Sequence, residues 1–296
     1  MTSRWTDLLD PTREELLAVL PTGVDPHEVE AMLAEPLDRP RPRLEGHADY
    51  VFGVLVSMAP APDGVAIENR EIDFVATAEH FVTVRKTPAQ GTPWPPECLE
   101  AVGDVTVGEL VFHLFDDVAQ SVLEVVDAAD AAIDELEDHI EEWPSVLVRR
   151  RISALRHELI HARRTVGATR GKVRRISDKR LDTAGETLFP ESVERLFSDT
   201  YETLFRAGEE LDVARDLLAS SRDYHQALIA ENQNEVAKKL TVIASLVLVP
   251  SFIVGFYGQN FQGVFDREFW TLGVSVGLIV ASSLIQLALF RWRRWI

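Results

Sequence analysis

The chain has 296 residues, a formal net charge of −18 at pH 7 and one cysteine, Cys98. The charge argues against nucleic acid as a partner, because proteins that bind nucleic acid present a basic surface, and a single cysteine excludes an internal disulfide and a cysteine-type metal cluster. The acidity either gathers cations near the protein surface or only keeps the soluble part in solution.

The first part of the chain, residues 1–106, predicts a cytoplasmic α/β domain. The N-terminus has no apolar segment of the kind found in a secretory signal, so we expect none. One or two short helices are predicted, around Arg13–Leu20 and His27–Ala34, followed by an extended connector. Three segments rich in Val, Ile and Phe predict strands: Tyr50–Met58, Val65–Val75 and Phe81–Arg85.

Residues 107–239 predict a helical hairpin followed by a stalk. Apolar residues recur at threes and fours from Val107, and the helix carries no Lys or Arg over Asp116–Glu142. After a break at Trp143-Pro144, a basic helix is predicted over about Val146–Arg180. Surface ion pairs lacing an antiparallel hairpin would explain these charges. A charge cluster that senses metal ions or anions is the alternative.

After a predicted breaker at residues 182–187, the segment Glu191–Gly258 contains no strong breaker before Pro250. As one helix it would be roughly 100 Å long at about 1.5 Å per residue. A helix of that length is not held by a compact monomer. It predicts parallel copies packed around an axis, or a stalk.

Two transmembrane helices are predicted, at 240–258 and 269–290. The first contains nineteen uncharged residues, roughly 28 Å of helix against a hydrocarbon core of about 30 Å. Lys238 and Lys239 precede this span, and the basic tail 291–296 follows the second. Because Lys and Arg stay on the cytoplasmic side, we expect both termini in the cytoplasm, a short outer loop at 259–268, and a multi-pass protein of the plasma (inner) membrane.

Residues 234–261 resemble the first transmembrane helix of the CorA-type divalent-cation (magnesium/cobalt) transporters, which ends in Tyr-Gly-Met-Asn: NEVAKKLTVIASLVLVPSFIVGFYGQNF. Residues 197–218 resemble their stalk helix, and 73–88 their strand region. The resemblance implies an α+β cytoplasmic domain with a mixed α/β/α sheet, a long helical stalk and a C-terminal two-helix transmembrane hairpin. It also implies a homopentameric funnel in the lipid bilayer, with the first span lining an axial pore.

The resemblance assigns the ion-selective mouth of the pore to four consecutive residues: Tyr257, Gly258, Gln259 and Asn260. It assigns the pore lining and gate to six more: Asn234, Ala237, Leu240, Ala244, Leu248 and Ser251. Spacing alone places these six on one helix face. A helix-packing seam is the alternative, because small residues favour such seams in membranes.

The chain departs from the family pattern at the mouth, where Gln259 replaces the usual methionine. Either the ion choice is altered, since the zinc-transporting branch of the family also varies here, or the change is tolerated at a position outside the pore. The following loop lacks the family's Met-Pro-Glu. Asp266 and Glu268 are the acidic residues expected to attract cations there.

The resemblance implies Mg²⁺ influx down its electrochemical gradient, with Mg²⁺ also binding at a regulatory site that includes Asp199; a solvated stalk acid is the alternative for Asp199. Transport of Zn²⁺, Co²⁺ or Ni²⁺ by the same fold is one alternative function, and a membrane-anchored signalling or scaffold protein is another. We expect no enzyme and no organic cofactor, because His157 and His161 lack an HExxH pattern and no Gly-rich phosphate loop occurs.

Overall fold

The computed structural model describes residues 4–103, 105–181, 188–258 and 268–295, with only the backbone for 268–272. The chain divides into two compact units, an N-terminal unit of Met1–Arg222 and a C-terminal unit of Asp223–Ile296. The predicted breaker at 182–187 lies outside the described residues. The finer domain limits at residues 106, 239 and 290 remain predictions.

A five-stranded mixed sheet forms the base of the N-terminal unit, with the order β1-β5-β4-β3-β2. Its strands are β1 Trp5–Leu9, β2 Arg43–Gly46, β3 Val51–Pro60, β4 Ile67–Ala76 and β5 Phe81–Arg85. Strand β1 pairs parallel to β5, and the other neighbours pair antiparallel. The three predicted strands are confirmed as β3 to β5, and β5 has the predicted bounds.

Strands β1 and β2 correct the prediction of only helices and a connector before residue 45. The β1 sequence, WTDLL, has little strand signal of its own. Its contacts with β5 define it: Trp5 Nε1 donates to Thr83 Oγ1 at 3.0 Å, and Arg85 pairs with Asp7 at 2.6 Å. Such pairing joins residues far apart in sequence, so local patterns do not reveal it.

Helices cover both faces of the sheet, as the predicted α/β/α arrangement requires. On one face lie α1 Arg13–Val19 and α2 Pro26–Leu33, which bury Leu16, Val29 and Met32 against the sheet. On the other lie α3 Glu97–Glu100 and the first part of α4 Val107–His139.

The apolar core on the α3 and α4 face of the sheet continues beyond the sheet between three long helices. They are α4, α5 Ser145–Ser177 and α6 Glu191–Tyr257. Within the N-terminal unit, α6 buries a residue at every seventh position: Phe197, Leu204, Leu211 and Leu218. This heptad spacing is typical of helices that pack side by side. The ring of Phe197 packs edge-on against Phe112 and Phe115 of α4, with centroids 5.7 and 5.6 Å away.

The predicted acidic and basic helices are α4 and α5. The charged residues of α5 form ion pairs with α4 and also with other segments. Arg151 of α5 pairs with Glu135 of α4. Arg163 instead pairs with Asp212 of α6 at 2.9 Å, and Glu158 with Arg39 at 2.9 Å. The charged residues of α5 therefore form ion pairs with α4, with α6 and with the segment that contains Arg39. Buried apolar residues pack α4 against α5.

Candidate ion pathway

The six predicted pore positions are all exposed on α6 within the C-terminal unit. The two large apolar members, Leu240 and Leu248, are 62% and 70% exposed. The four others are small or polar: Asn234, Ala237, Ala244 and Ser251. One helix face therefore stays uncovered within a single protomer along its whole predicted pore length.

The opposite face of α6 is partly covered. Val242 is 8% exposed, and half-buried residues follow on the same side: Ser245, Leu246, Val249, Pro250, Ile253 and Tyr257. At about 100° per residue, the centre of this set lies across the helix from the pore positions. The helix therefore has a covered side and an open side, and the predicted pore residues occupy the open one.

The last helix, α7 Glu268–Trp292, has a matching half-covered stripe. Its members are Ser275, Ile279, Ser282, Ser283, Gln286 and Phe290. With Ser245 left out, the spacings in this stripe equal those of the covered face of α6. The matching stripes indicate that the two helices pack against each other through them, with small serines that permit close approach.

Over 240–257 of α6 and 273–290 of α7, the remaining surface is mostly apolar and exposed, as for Phe252 at 71% and Ile285 at 67%. Two segments are long and apolar enough to cross a membrane, within Glu191–Tyr257 and over Gly273–Trp292. Soluble proteins rarely expose apolar surface of this extent. Both segments suit the hydrocarbon core of a bilayer in length and composition.

Polar groups along the α6 span bond to their own helix. Thr241 Oγ1 donates to the Ala237 carbonyl at 2.8 Å, and Ser245 Oγ to the Val242 carbonyl at 3.0 Å. The helix also continues through Pro250 to Tyr257. Hydroxyl groups satisfied in this way place few free donors in an apolar medium.

The helix ends where the predicted mouth begins. Tyr257 is half-buried on the covered side, and the Gly258 amide donates to the Val254 carbonyl at 2.8 Å. Glu268 begins α7, although its side chain is not described. Three predicted residues lie outside the described part of the chain: Gln259, Asn260 and Asp266.

Asp199 lies in the N-terminal unit and is exposed on α6, away from the buried heptad positions. Its neighbour Thr200 is fully buried and donates to Asp116 at 3.4 Å. Within the described residues, no cation pairs with the Asp199 carboxylate. An exposed carboxylate of this kind is free to take a ligand from solution.

Gln286 is a polar residue of α7 that the sequence did not single out. Its side-chain oxygen is buried and accepts no hydrogen bond within the described residues. It is an amide in a span, Gly273–Phe290, whose other polar residues are serines, and that contrast is the signal by which it could have been found.

Comparison with known proteins places the chain in a family. The family model described as "CorA-like Mg2+ transporter protein" matches residues 2–293. A curated relative, the cobalt/magnesium transport protein CorA of Thermotoga maritima, is 22% identical over 276 residues, covering 86% of this chain and 78% of the relative.

Solved structures agree in fold. The complete structure of the CorA magnesium transporter from Methanocaldococcus jannaschii aligns with a TM-score of 0.81 at 20% identity, covering 99% of this chain and 91% of that one. The cytoplasmic domain of ZntB from Vibrio parahaemolyticus aligns with a TM-score of 0.51 at 14% identity, covering 77% of this chain and 88% of that one. With the family match spanning nearly its whole length, this chain belongs to the CorA-like Mg²⁺ transporter family and is a divalent-cation transporter rather than an enzyme.

Proposed function

We propose that this protein forms a homopentameric channel in the plasma membrane that admits Mg²⁺ to the cytoplasm down its electrochemical gradient. The observation that carries the proposal is the open face of α6, where all six predicted pore positions are exposed and the opposite side is partly covered. Five copies, the number implied by the family resemblance, would bring these faces together around an axis and surround them with the α7 helices.

At the mouth, Asn260 would recognise the ion through its water shell. Mg²⁺ holds its water tightly and prefers hard oxygen ligands. A ring of amide carbonyls accepts hydrogen bonds from that water without binding so strongly that the ion cannot leave. A ring of carboxylates would bind more tightly and release more slowly. Asp266 and Glu268 would raise the local cation concentration outside the mouth.

Deeper in the pore, Leu240, Ala244 and Leu248 would form an apolar gate. A narrow apolar constriction excludes water and ions, and it conducts once widened. Asn234 and Ser251 would supply polar stations on either side of it. The membrane potential drives entry, at about 2.3 kcal/mol per charge for each 100 mV.

Transport of Zn²⁺ is the second candidate. Two observations favour it: Gln259 stands where the family usually has methionine, and the N-terminal unit shares its fold with the ZntB cytoplasmic domain. An amide next to Asn260 adds a donor and an acceptor that methionine lacks. This changes the groups that an arriving ion meets.

Flux into proteoliposomes under an inward-negative potential separates these candidates. We expect Mg²⁺ entry that is lost in Asn260→Ala and kept in Asn232→Ala, which removes the same amide from an exposed position off the predicted pore face. Zn²⁺ entry without Mg²⁺ entry would favour the second candidate. If the folded protein transports neither ion, both candidate functions are contradicted and a membrane-anchoring role is favoured.

Two substitutions on α6, one on the predicted pore face and one off it, test the proposed gate. Leu248 and Ile243 are 70% and 60% exposed, but they lie about 140° apart around the helix. Leu248→Ala should increase Mg²⁺ flux because it widens the constriction, whereas Ile243→Ala should leave flux unchanged. Equal effects of the two substitutions would assign the open face to lipid or helix packing instead.

For regulation, we propose that cytoplasmic Mg²⁺ binds at Asp199 and favours the closed assembly. Acidic chains repel one another, and a divalent cation bound between them shifts the equilibrium toward close packing. Asp199→Ala should weaken the protection from proteolysis that millimolar Mg²⁺ gives the assembly. Glu202→Ala, an exposed acid one turn further on, is the control. Unchanged protection in Asp199→Ala would remove this residue from the regulatory site.

A further inference from the structure

Three side chains that the ion pathway does not use meet in the N-terminal unit. They are Glu28 of α2, Glu45 of β2 and His47, which directly follows β2. One ligand atom from each lies within 4.8 Å of those of the other two. Helix α2 ends at Leu33 and strand β2 begins at Arg43, so a short connector brings the three side chains together.

Glu28 is the unusual member, because it is a carboxylate that is only 5% exposed. Its Oε2 accepts a hydrogen bond from the Tyr50 hydroxyl at 2.7 Å, and its Oε1 lies 2.8 Å from Nε2 of His47. A buried carboxylate is stable only with strong hydrogen bonds or a compensating positive charge. The imidazole provides that charge only when protonated.

The neighbours fix the geometry of this group. The Tyr50 hydroxyl accepts from the Asp25 amide at 3.0 Å, and burial together with the Glu28 carboxylate raises the pKa of Tyr50 to about 12. Tyr50 therefore remains a hydrogen-bond donor to Glu28. Its ring stacks on the His47 ring, with centroids 4.4 Å apart, which holds the imidazole in the orientation that aims Nε2 at Glu28.

Glu45 completes the set from the solvent side. Arg43 donates to its Oε1 at 2.7 Å, which leaves the other oxygen of the same carboxylate for a ligand. Its side chain is 44% exposed and that of His47 is 33% exposed. An ion therefore has access from solvent to a set whose innermost ligand is buried.

We propose that Glu28, Glu45 and His47 bind a divalent transition-metal ion such as Zn²⁺ or Co²⁺. Two carboxylates and an imidazole match the oxygen and nitrogen ligands these ions take, with water in the open position. Mg²⁺ prefers a set made of oxygen alone. Bonds of about 2.0–2.1 Å in a tetrahedron place ligand atoms about 3.3 Å apart, so His47 and Glu28 need to separate by only about half an ångström from their hydrogen-bonded distance.

Nε2 of His47 would bind the ion through its lone pair. A neutral ring then carries its proton on Nδ1, and a doubly protonated ring releases one proton to solvent as the ion binds. The bound ion would tie α2 to the β2–β3 hairpin and stabilise the N-terminal unit. These three residues would bind their ion whichever divalent cation the protein transports.

The test uses the full-length protein in detergent, stripped with chelator and titrated with Zn²⁺ in excess Mg²⁺, which occupies oxygen-only sites. We expect wild type to bind one more Zn²⁺ per protomer than His47→Gln, and His80→Gln, an exposed histidine of the same unit, to match wild type. Co²⁺ titrated in place of Zn²⁺ should give a visible absorption band in wild type that His47→Gln lacks.

Thermal unfolding gives a second readout. Zn²⁺ should raise the unfolding temperature of wild type and not that of His47→Gln or of Glu45→Gln, a milder change at a more exposed position. Equal Zn²⁺ counts in wild type and His47→Gln, with equal Co²⁺ spectra, would overturn the site and leave the three residues as a hydrogen-bonded network.

Discussion

The two compact units differ in how far their large apolar side chains are exposed. In the N-terminal unit, large side chains such as Phe74 and Phe115 are fully buried. In the C-terminal unit, Leu248, Leu284 and Trp292 are 70%, 61% and 76% exposed. The first unit therefore has a core of its own, whereas the second leaves large apolar side chains exposed within one protomer. A substitution should act on the folding of one unit and on the assembly or transport of the other.

The largest expected difference comes from truncating one apolar side chain in each unit. Phe74 packs against Phe81 and Phe115, with ring centroids 5.8 and 6.2 Å away. Phe74→Ala should lower the free energy of unfolding of the N-terminal unit by about 3–5 kcal/mol. Leu284→Ala, at an exposed position, should change it by less than about 0.5 kcal/mol. Pulse proteolysis of the full-length protein across a urea series measures both.

Comparable losses in the two variants would contradict the difference between the units, because they would make the N-terminal fold dependent on the apolar surface of the spans. A large loss in Phe74→Ala alone would support it. Urea midpoints of the variants should be compared at equal denaturant slope, since a changed slope signals altered compactness rather than altered stability.

The sequence predicted the parts of this protein that depend on local pattern. Helices α4 and α6 carry long apolar repeats, and α6 ends within one residue of the predicted bound. Strand β1 was not predicted, because it is stabilised by pairing with β5, which is distant in the sequence, and not by a local pattern. The covered stripe through Val242 was also missed, because its position depends on packing against a second helix. The open pore face was predicted from spacing and resemblance together, and neither alone excluded a packing seam.

The next largest effect contrasts a buried ion cluster with an exposed pair. Lys86 lies 2.5 Å from Glu71 and 2.9 Å from Asp73, and all three side chains are less than 10% exposed. Lys86→Met leaves two buried carboxylates without a cation, so we expect a loss of about 3–5 kcal/mol. Arg195→Met breaks a pair with Glu191 whose side chains are 77% and 73% exposed, and should cost less than about 1 kcal/mol. The same proteolysis series tests whether burial decides the outcome, and similar losses would show that it does not.

The smallest effect is a pH dependence in the same cluster, which holds two carboxylates and one ammonium group. Burial raises the pKa of Asp73 to about 7, although Lys86 opposes the shift. The folded protein then holds this proton more tightly than the unfolded chain, whose Asp pKa is about 3.9. The stability from Asp73 is therefore complete below about pH 4 and is lost as the pH rises through about 7. Between about pH 5 and 8 the urea midpoint of the N-terminal unit should fall in wild type and fall less in Asp73→Asn, which is neutral throughout. An equal fall in both would place the titrating group elsewhere in the unit, and would mean that Lys86 keeps Asp73 ionised despite its burial.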